Sequence, residues 1–312
     1  MTLPLPELAV LVAAADDGLH AWVHDHVPVT VRRAALTEEL SRELTAAHDL
    51  SFAAGFAEAM PQSGEPPGGY LNRWIQLSDD LHVLAGSRYL GRNPDLPFVG
   101  IYASDRPFRP GDPESLTTVA RHFSAFRPGF VLLSTADPVG AWPGTYPEMR
   151  QVVGLLGDLR RRSLPSGLAA VARTDTDFYD TYLSIHERHV ARQPEHARHT
   201  RVEEEADLQA LADQGLLWDI VVDGRWAGIL AAERDARRGV RGATVIELLL
   251  DDPYRGRGFG QHLSTLLAKS LPLPDDECLM GTIHHANVAS YRSALRAGRV
   301  DVGGEIVIPL EA

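Results

Sequence analysis

At 312 residues the chain exceeds the length at which one hydrophobic core usually keeps growing, so two domains are expected. Its 44% hydrophobic and 23% charged residues exclude a disordered or fibrous protein. The net charge of -12 argues against nucleic acid, which is bound by clustered Lys and Arg, and tilts the choice of ligand toward cations and amines.

A single cysteine, Cys278, excludes an intrachain disulfide and a cysteine-built zinc site, and it fits a reducing, cytoplasmic setting. The apolar stretch Leu8 to Ala15 lacks a basic flank and runs into Asp16 and Asp17, unlike a secretory signal. No apolar run reaches the roughly 18 residues of a membrane helix, so no membrane partner is expected.

In chain order, the pattern predicts a helix over 36–60, strands over 82–89 and 98–104, a helix over 114–126, a strand over 130–135 and a second helix over 146–162. The polar segment Arg160 to Gly167, broken by Pro165 and Gly167, is the expected boundary, giving domains 1–163 and 164–312. Beyond it come a strand at 168–173 and helices at 178–190 and 203–214. Strands at 218–222 and 226–233 flank Asp223-Gly224, a hairpin signal. A strand at 244–250, a helix over 263–271, a strand at 279–284, a helix over 287–297 and a last strand region at 300–309 complete the pattern. The halves share a rough element order, so an ancient duplication is conceivable.

The segment with chemical content is Arg255-Gly256-Arg257-Gly258-Phe259-Gly260, which follows an apolar strand and opens an amphipathic helix. Three glycines remove three Cβ atoms, letting backbone amides approach an anion at a helix N-terminus. A dinucleotide fingerprint would need a small residue at 261, where Gln261 stands, and no Walker pattern follows. The bland alternative is an exposed strand-to-helix turn.

Arg255, Gly258 and Gly260, with Tyr254 ahead of them and Asn287 leading a helix that ends at Gly298, resemble the GNAT N-acetyltransferase superfamily over about residues 168–309. The resemblance implies an α/β fold with a mixed sheet flanked by helices. It also implies acetyl-CoA as co-substrate and an amine of a small molecule or peptide as acceptor. Residues 255–260 would cradle the pyrophosphate, the backbone of Leu248, Leu249 and Leu250 would line the pantetheine arm, and Asn287 would join the cofactor site.

The family's usual tyrosine acid falls at Ala294 here. Tyr291, one turn earlier, is the substitute candidate, with a core tyrosine as the competing reading. Glu247 and His284, or its neighbour His285, are base candidates, with an ion pair or a structural histidine as the alternatives. His186, His189, His196 and His199 match no familiar ligand spacing, and no metal is expected. In the amino-terminal half the counterpart turn, Ser104 to Pro113, contains three prolines that lack the N–H a phosphate cradle needs, so that half reads as a degenerate GNAT-like or accessory domain of a tandem protein. A non-catalytic acyl-CoA-binding module is the second functional reading, and a homodimer is left open.

Overall fold

The computed structural model describes residues 3–61, 64–108, 113–192 and 202–310. The chain divides into two compact units, one of Met1–Met149, Ala236–Val240 and Val302–Ala312, the other of Arg150–Asp235 and Arg241–Asp301.

The first unit opens with helices α1 (Leu8–Asp17), α2 (Ala21–His26), α3 (Val29–Thr45) and α4 (Leu50–Ala59). The single helix expected over 36–60 is two, because α3 ends at Thr45 and the Asp49 carboxylate accepts the Ser51 and Phe52 amides to cap α4. Strands β1 (Arg73–Ser78), β2 (Leu81–Tyr89) and β3 (Pro97–Ser104) pair antiparallel, helix α5 (Pro113–His122) crosses over, and β4 (Phe130–Thr135) returns parallel to β3. The expected turn at 104–113 lies partly outside the described residues. Ile75, Val83, Val99, Val119 and Val131 are fully buried or nearly so and form the centre of this unit's core.

The second unit contains the larger surprise. The helix expected over 146–162 is β5 (Tyr146–Leu155) followed by the short α6 (Leu156–Arg160). Residues 150–154 are buried along the whole strand rather than on alternate sides. A strand covered on both faces shows no period of two, so its apolar run cannot be told from a helix by pattern. The expected linker is structural as well: Arg160 donates to the carbonyls of Ala268, Leu271 and Leu273 at 2.8 Å each. It thus satisfies orphan acceptors at the carboxy-terminal end of a neighbouring helix.

From there β6 (Leu168–Ala172), α7 (Tyr179–Arg192), α8 (Glu205–Asp213), β7 (Leu217–Val222), β8 (Arg225–Arg237) and β9 (Val240–Leu250) follow, then α9 (Leu263–Ser270), β10 (Cys278–His284), α10 (Val288–Arg296) and β11 (Val300–Pro309). Asp223 (φ 50°) and Gly224 (φ 75°) form the β7–β8 turn with both central residues left-handed, as an Asp-Gly hairpin demands. Strand order is β1-β2-β3-β4-β11 in the first unit and β5-β10-β9-β8-β7-β6 in the second.

The strands of each unit run in mixed directions, and each unit contains a parallel pair bridged by a helix: β3 and β4 by α5, β9 and β10 by α9. The chain is therefore of the α/β class with mixed sheet flanked by helices. The expected division at 163/164 differs from the observed one, since β5 enters the second unit at Arg150 and Val302 onward pairs with β4. Ile306, Val307 and Ile308 are buried there, which covers an otherwise open sheet edge. Among the described residues no helix is long and apolar enough to cross a membrane.

Gly242 shows how tightly β9 and β10 meet. Its φ is 153°, and a Cβ added to it would overlap the Cys278 carbonyl oxygen. Gly242→Ala is expected to destabilise the protein by about 2 kcal/mol or more; a thermal denaturation midpoint unchanged from the parent would contradict the close approach.

Candidate functional site

Strands β9 and β10 are parallel, and their pairing joins Gly242, Ala243 and Thr244 to Cys278, Leu279 and Met280. The register thus ends ahead of Glu247 to Leu250 on one strand and of Gly281 to His284 on the other. Main-chain groups on the later part of β9 are consequently not used in that ladder.

Beyond Leu250 the chain makes a 3-10 turn over Asp252–Tyr254, then the glycine segment, then a second 3-10 turn over Phe259–His262 that feeds α9. Gly256 (φ 72°) and Gly258 (φ 86°) are left-handed, a conformation that costs a side-chain-bearing residue energy. A Cβ at Gly256 would meet nothing within 4 Å, and one at Gly258 only the Gln261 side-chain amide at 3.8 Å. Among the described residues the amides of Gly256, Arg257 and Gly258 donate to no backbone carbonyl. The segment therefore presents N–H groups and open space together, directly before a helix whose Leu263, Leu266 and Leu267 are anchored in the core.

Charge pairing with α7 fixes this turn. Arg188 donates to Asp251 at 2.9 Å and to Asp252 at 2.8 Å, and Arg192 forks onto both oxygens of Asp252 at 2.7 Å. The Arg192 and Arg188 bonds, against a smaller opposing effect of burial, hold the Asp252 carboxyl far below the usual carboxylate range. Arg255 is half-buried and turns back on the strand: its Nε donates to the Leu250 carbonyl at 2.7 Å and its terminal nitrogen lies 2.9 Å from His189 Nδ1. Burial lowers its pKa. Its side chain stiffens the turn from behind, while Arg257 lies exposed, 5.8 Å from the Tyr254 ring and 5.5 Å from the Phe259 ring.

The other sequence candidates take varied places. Leu249 and Leu250 are buried and Leu248 packs against the same core; the Leu248 amide is taken by Glu247 and the Leu250 carbonyl by Arg255. Asn287 caps α10, its side-chain oxygen accepting the Ser290 amide at 3.1 Å. His284 is buried and its Nδ1 accepts the Ala286 amide at 3.2 Å, whereas His285 is exposed. His186 and His189 sit on α7 and make separate contacts, with Glu247 and Arg255 respectively; His196 and His199 lie outside the described residues.

Tyr291 is held by an acidic partner. Its hydroxyl donates to Asp301 Oδ2 at 2.6 Å, and Arg150 grips the same carboxylate with Nε at 3.0 Å and a terminal nitrogen at 2.8 Å. Burial first, and then the Asp301 carboxylate, push the phenol up to about 12. The bond ties α10 to the start of β11. Val288 and Leu295, which flank it on α10, are exposed.

Glu247 gains partners that sequence reasoning missed. Its Oε2 accepts the Tyr182 hydroxyl and His186 Nε2, both at 3.2 Å, and its Oε1 accepts the Leu248 amide at 3.0 Å. Tyr182 in turn accepts the Glu203 amide at 2.9 Å, and burial, ahead of the Glu247 charge, drives its phenol well above the ordinary tyrosine value. The available signal was the helical spacing of Tyr182, His186 and His189, which share one face of α7.

No protein-family profile and no curated protein sequence matches the chain. Among solved structures it is similar in fold to GNAT-superfamily acetyltransferases. They include a GCN5-related N-acetyltransferase from Kribbella flavida, at 16% identity over 85% of this chain and 97% of that one, with a TM-score of 0.44. A GNAT-family acetyltransferase from Colwellia psychrerythraea is 12% identical over 73% of this chain and 86% of that one, with a TM-score of 0.48. A tandem GNAT protein from the clavulanic acid biosynthesis pathway is 12% identical over 85% and 97%, with a TM-score of 0.40.

Two outcomes test these placements. Tyr291→Phe should lower stability by about 1 kcal/mol through the lost hydrogen bond, a cost a urea titration resolves. Asp252 has a folded-state pKa below its unfolded one, so its stabilisation is complete above the unfolded value near ~3.9 and is lost as pH falls through the folded value. Asp252→Asn should therefore flatten the acid limb of the unfolding midpoint plotted against pH; an unchanged limb would show that the α7 ion pairs do not hold the turn.

Proposed function

We propose that the second unit binds an acyl-coenzyme A, in the first instance acetyl-CoA, and transfers its acyl group to an amine of a small molecule or peptide. The observation that carries this reading is Gly258: a left-handed residue with open space at its missing Cβ, where β9 gives way to α9. The amides of residues 256–260 would receive the diphosphate oxygens, aided by the positive end of the helix. Arg257 is the exposed cation of the turn, and Arg255 keeps its shape. Of Leu248, Leu249 and Leu250, which lie beyond the last residue of β9 paired with β10, the main-chain groups other than the Leu248 amide and the Leu250 carbonyl would bond the amide-bearing arm. Asn287 would serve by fixing the start of α10 beside it.

In direct transfer the acceptor nitrogen attacks the thioester carbonyl, the C–N bond forms, the C–S bond breaks, and the nitrogen gives up a proton. Glu247 immediately precedes the leucines assigned to the cofactor and is the base in this reading. With the Tyr291 hydroxyl held by Asp301, the thiolate would take its proton from solvent. The first unit, with its proline-rich turn, acts as an accessory domain.

One observation favours a second reading, a non-catalytic acyl-CoA-binding module: Ala294 stands at the family's acid position and Tyr291 is engaged elsewhere. Free-thiol release from acetyl-CoA across an amine panel separates the two, since binding without turnover supports the module. For either reading, Gly258→Val should abolish coenzyme A binding in calorimetry while far-ultraviolet circular dichroism stays unchanged, because the left-handed backbone costs valine about 1–3 kcal/mol and its side chain fills the anion's space. Unaltered affinity would refute the cradle.

A further inference from the structure

We infer that Arg299 selects the acyl group of the second unit: its guanidinium pairs with a terminal carboxylate, so the donor is a coenzyme A thioester of a short dicarboxylic acid, such as a succinyl thioester, in preference to uncharged acyl groups, acetyl included. The inference rests on the acyltransferase reading above and specifies its donor.

Arg299 follows Gly298, the left-handed residue that ends α10, and its amide donates to the Ala294 carbonyl at 3.1 Å. From there the side chain runs along β5 and β10. Its Cγ lies 3.4 Å from where a Cβ at Gly154 would be, and a terminal nitrogen occupies the place of a Cβ at Gly281. Glycine at both positions admits the arginine. Ala294 and Ala297, the buried residues at the end of α10, are small as well. Gly281 is also the first residue of β10 past the pairing of Met280 with Thr244. The guanidinium therefore lies where the ladder of β9 and β10 stops, at the inner end of the stretch assigned to the thioester-bearing arm.

The charge at this place has no counterpart. Arg299 is 4% exposed; Nη2 donates to the Val152 carbonyl at 2.9 Å, and Nε is buried without a partner. Among the described residues no carboxylate bonds it, and Asp301, two residues on, is gripped by Arg150 and Tyr291. Burial alone lowers the guanidinium to about 9, which leaves it a cation at neutral pH. Arg150 and Asp219, the other buried arginine and aspartate of the second unit, each have an opposite charge beside them, Asp301 at 2.8 Å and Arg173 at 3.4 Å. A buried charge is normally paired because an unpaired one is strongly destabilising. A carboxylate carried in on the acyl chain supplies the missing charge, and a guanidinium receives it with two parallel N–H donors. An uncharged acyl chain leaves the cation as it is.

The test uses the full chain and two stable thioethers of equal chain length, S-carboxypropyl-coenzyme A and S-butyl-coenzyme A, with coenzyme A itself as reference and affinities read by calorimetry. The parent protein should bind the carboxylated probe about 10-fold or more tightly than the alkyl one, the scale of a charge-assisted hydrogen bond. Arg299→Met, which keeps an unbranched chain and removes the charge, should bring the two affinities together while coenzyme A affinity is unchanged. Arg299→Lys, which keeps the charge, should retain part of the preference. The comparison in the parent needs no variant, so it decides the matter even where a core substitution fails to fold. Equal affinities in the parent, or a preference that survives Arg299→Met, overturn the inference. A parent that binds neither probe nor coenzyme A overturns the acyltransferase reading on which it rests.

Discussion

A turn that joins a strand to a helix leaves backbone amides to be satisfied from outside the regular elements, and the chain from Leu250 to Leu263 is built around that deficit. Gly256 and Gly258 are left-handed there, and among the described residues the amides of 256–258 donate to no backbone carbonyl. Such a turn would be soft if it were held only by its own bonds. Three arginines remove the softness: Arg188 and Arg192 tie Asp251 and Asp252 to α7, and Arg255 ties the turn to the end of β9. Exposed pairs of this kind contribute little individually. As a network on one short turn they restrict its orientation, which is what a preorganised anion site requires.

Helix α7 serves both sides of the same strand end. Arg188, His189 and Arg192 address the turn, while Tyr182 and His186, one to two turns earlier, address Glu247. Tyr182 also carries the link onward, since its hydroxyl accepts the Glu203 amide just ahead of α8. Helix α7 therefore holds both the glycine turn and the Glu247 carboxylate. A shift of α7 along its axis would disturb the two together, and mutations on this face are poor tools for separating binding from chemistry.

Much of the second unit was legible in the sequence because its signals are local. The Asp223-Gly224 hairpin, the glycine segment and the apolar spacing of α9 depend on residues within a few positions of one another. The helix read over 146–162 failed because β5 is buried on both faces, and burial by neighbours distant in sequence erases the alternation that marks a strand. The break between α3 and α4 was carried by Asp49, a cap hidden inside an otherwise continuous helical pattern. Strand β1 was missed although Trp74 and Ile75 stand in it, its six residues offering too little pattern.

By itself the sequence determined the type and place of the strand-turn-helix segment, since glycine alone occupies left-handed φ at little cost and its positions are written in the chain. The tertiary structure decided what the polar side chains do. Arg255 braces the turn, Tyr291 serves Asp301, Arg160 caps α9, and Glu247 is framed by Tyr182 and His186, because hydrogen bonds join whatever the fold brings within about 3 Å, and separations such as the 61 residues between His186 and Glu247 or the 108 between Arg160 and Ala268 leave no trace in a local pattern.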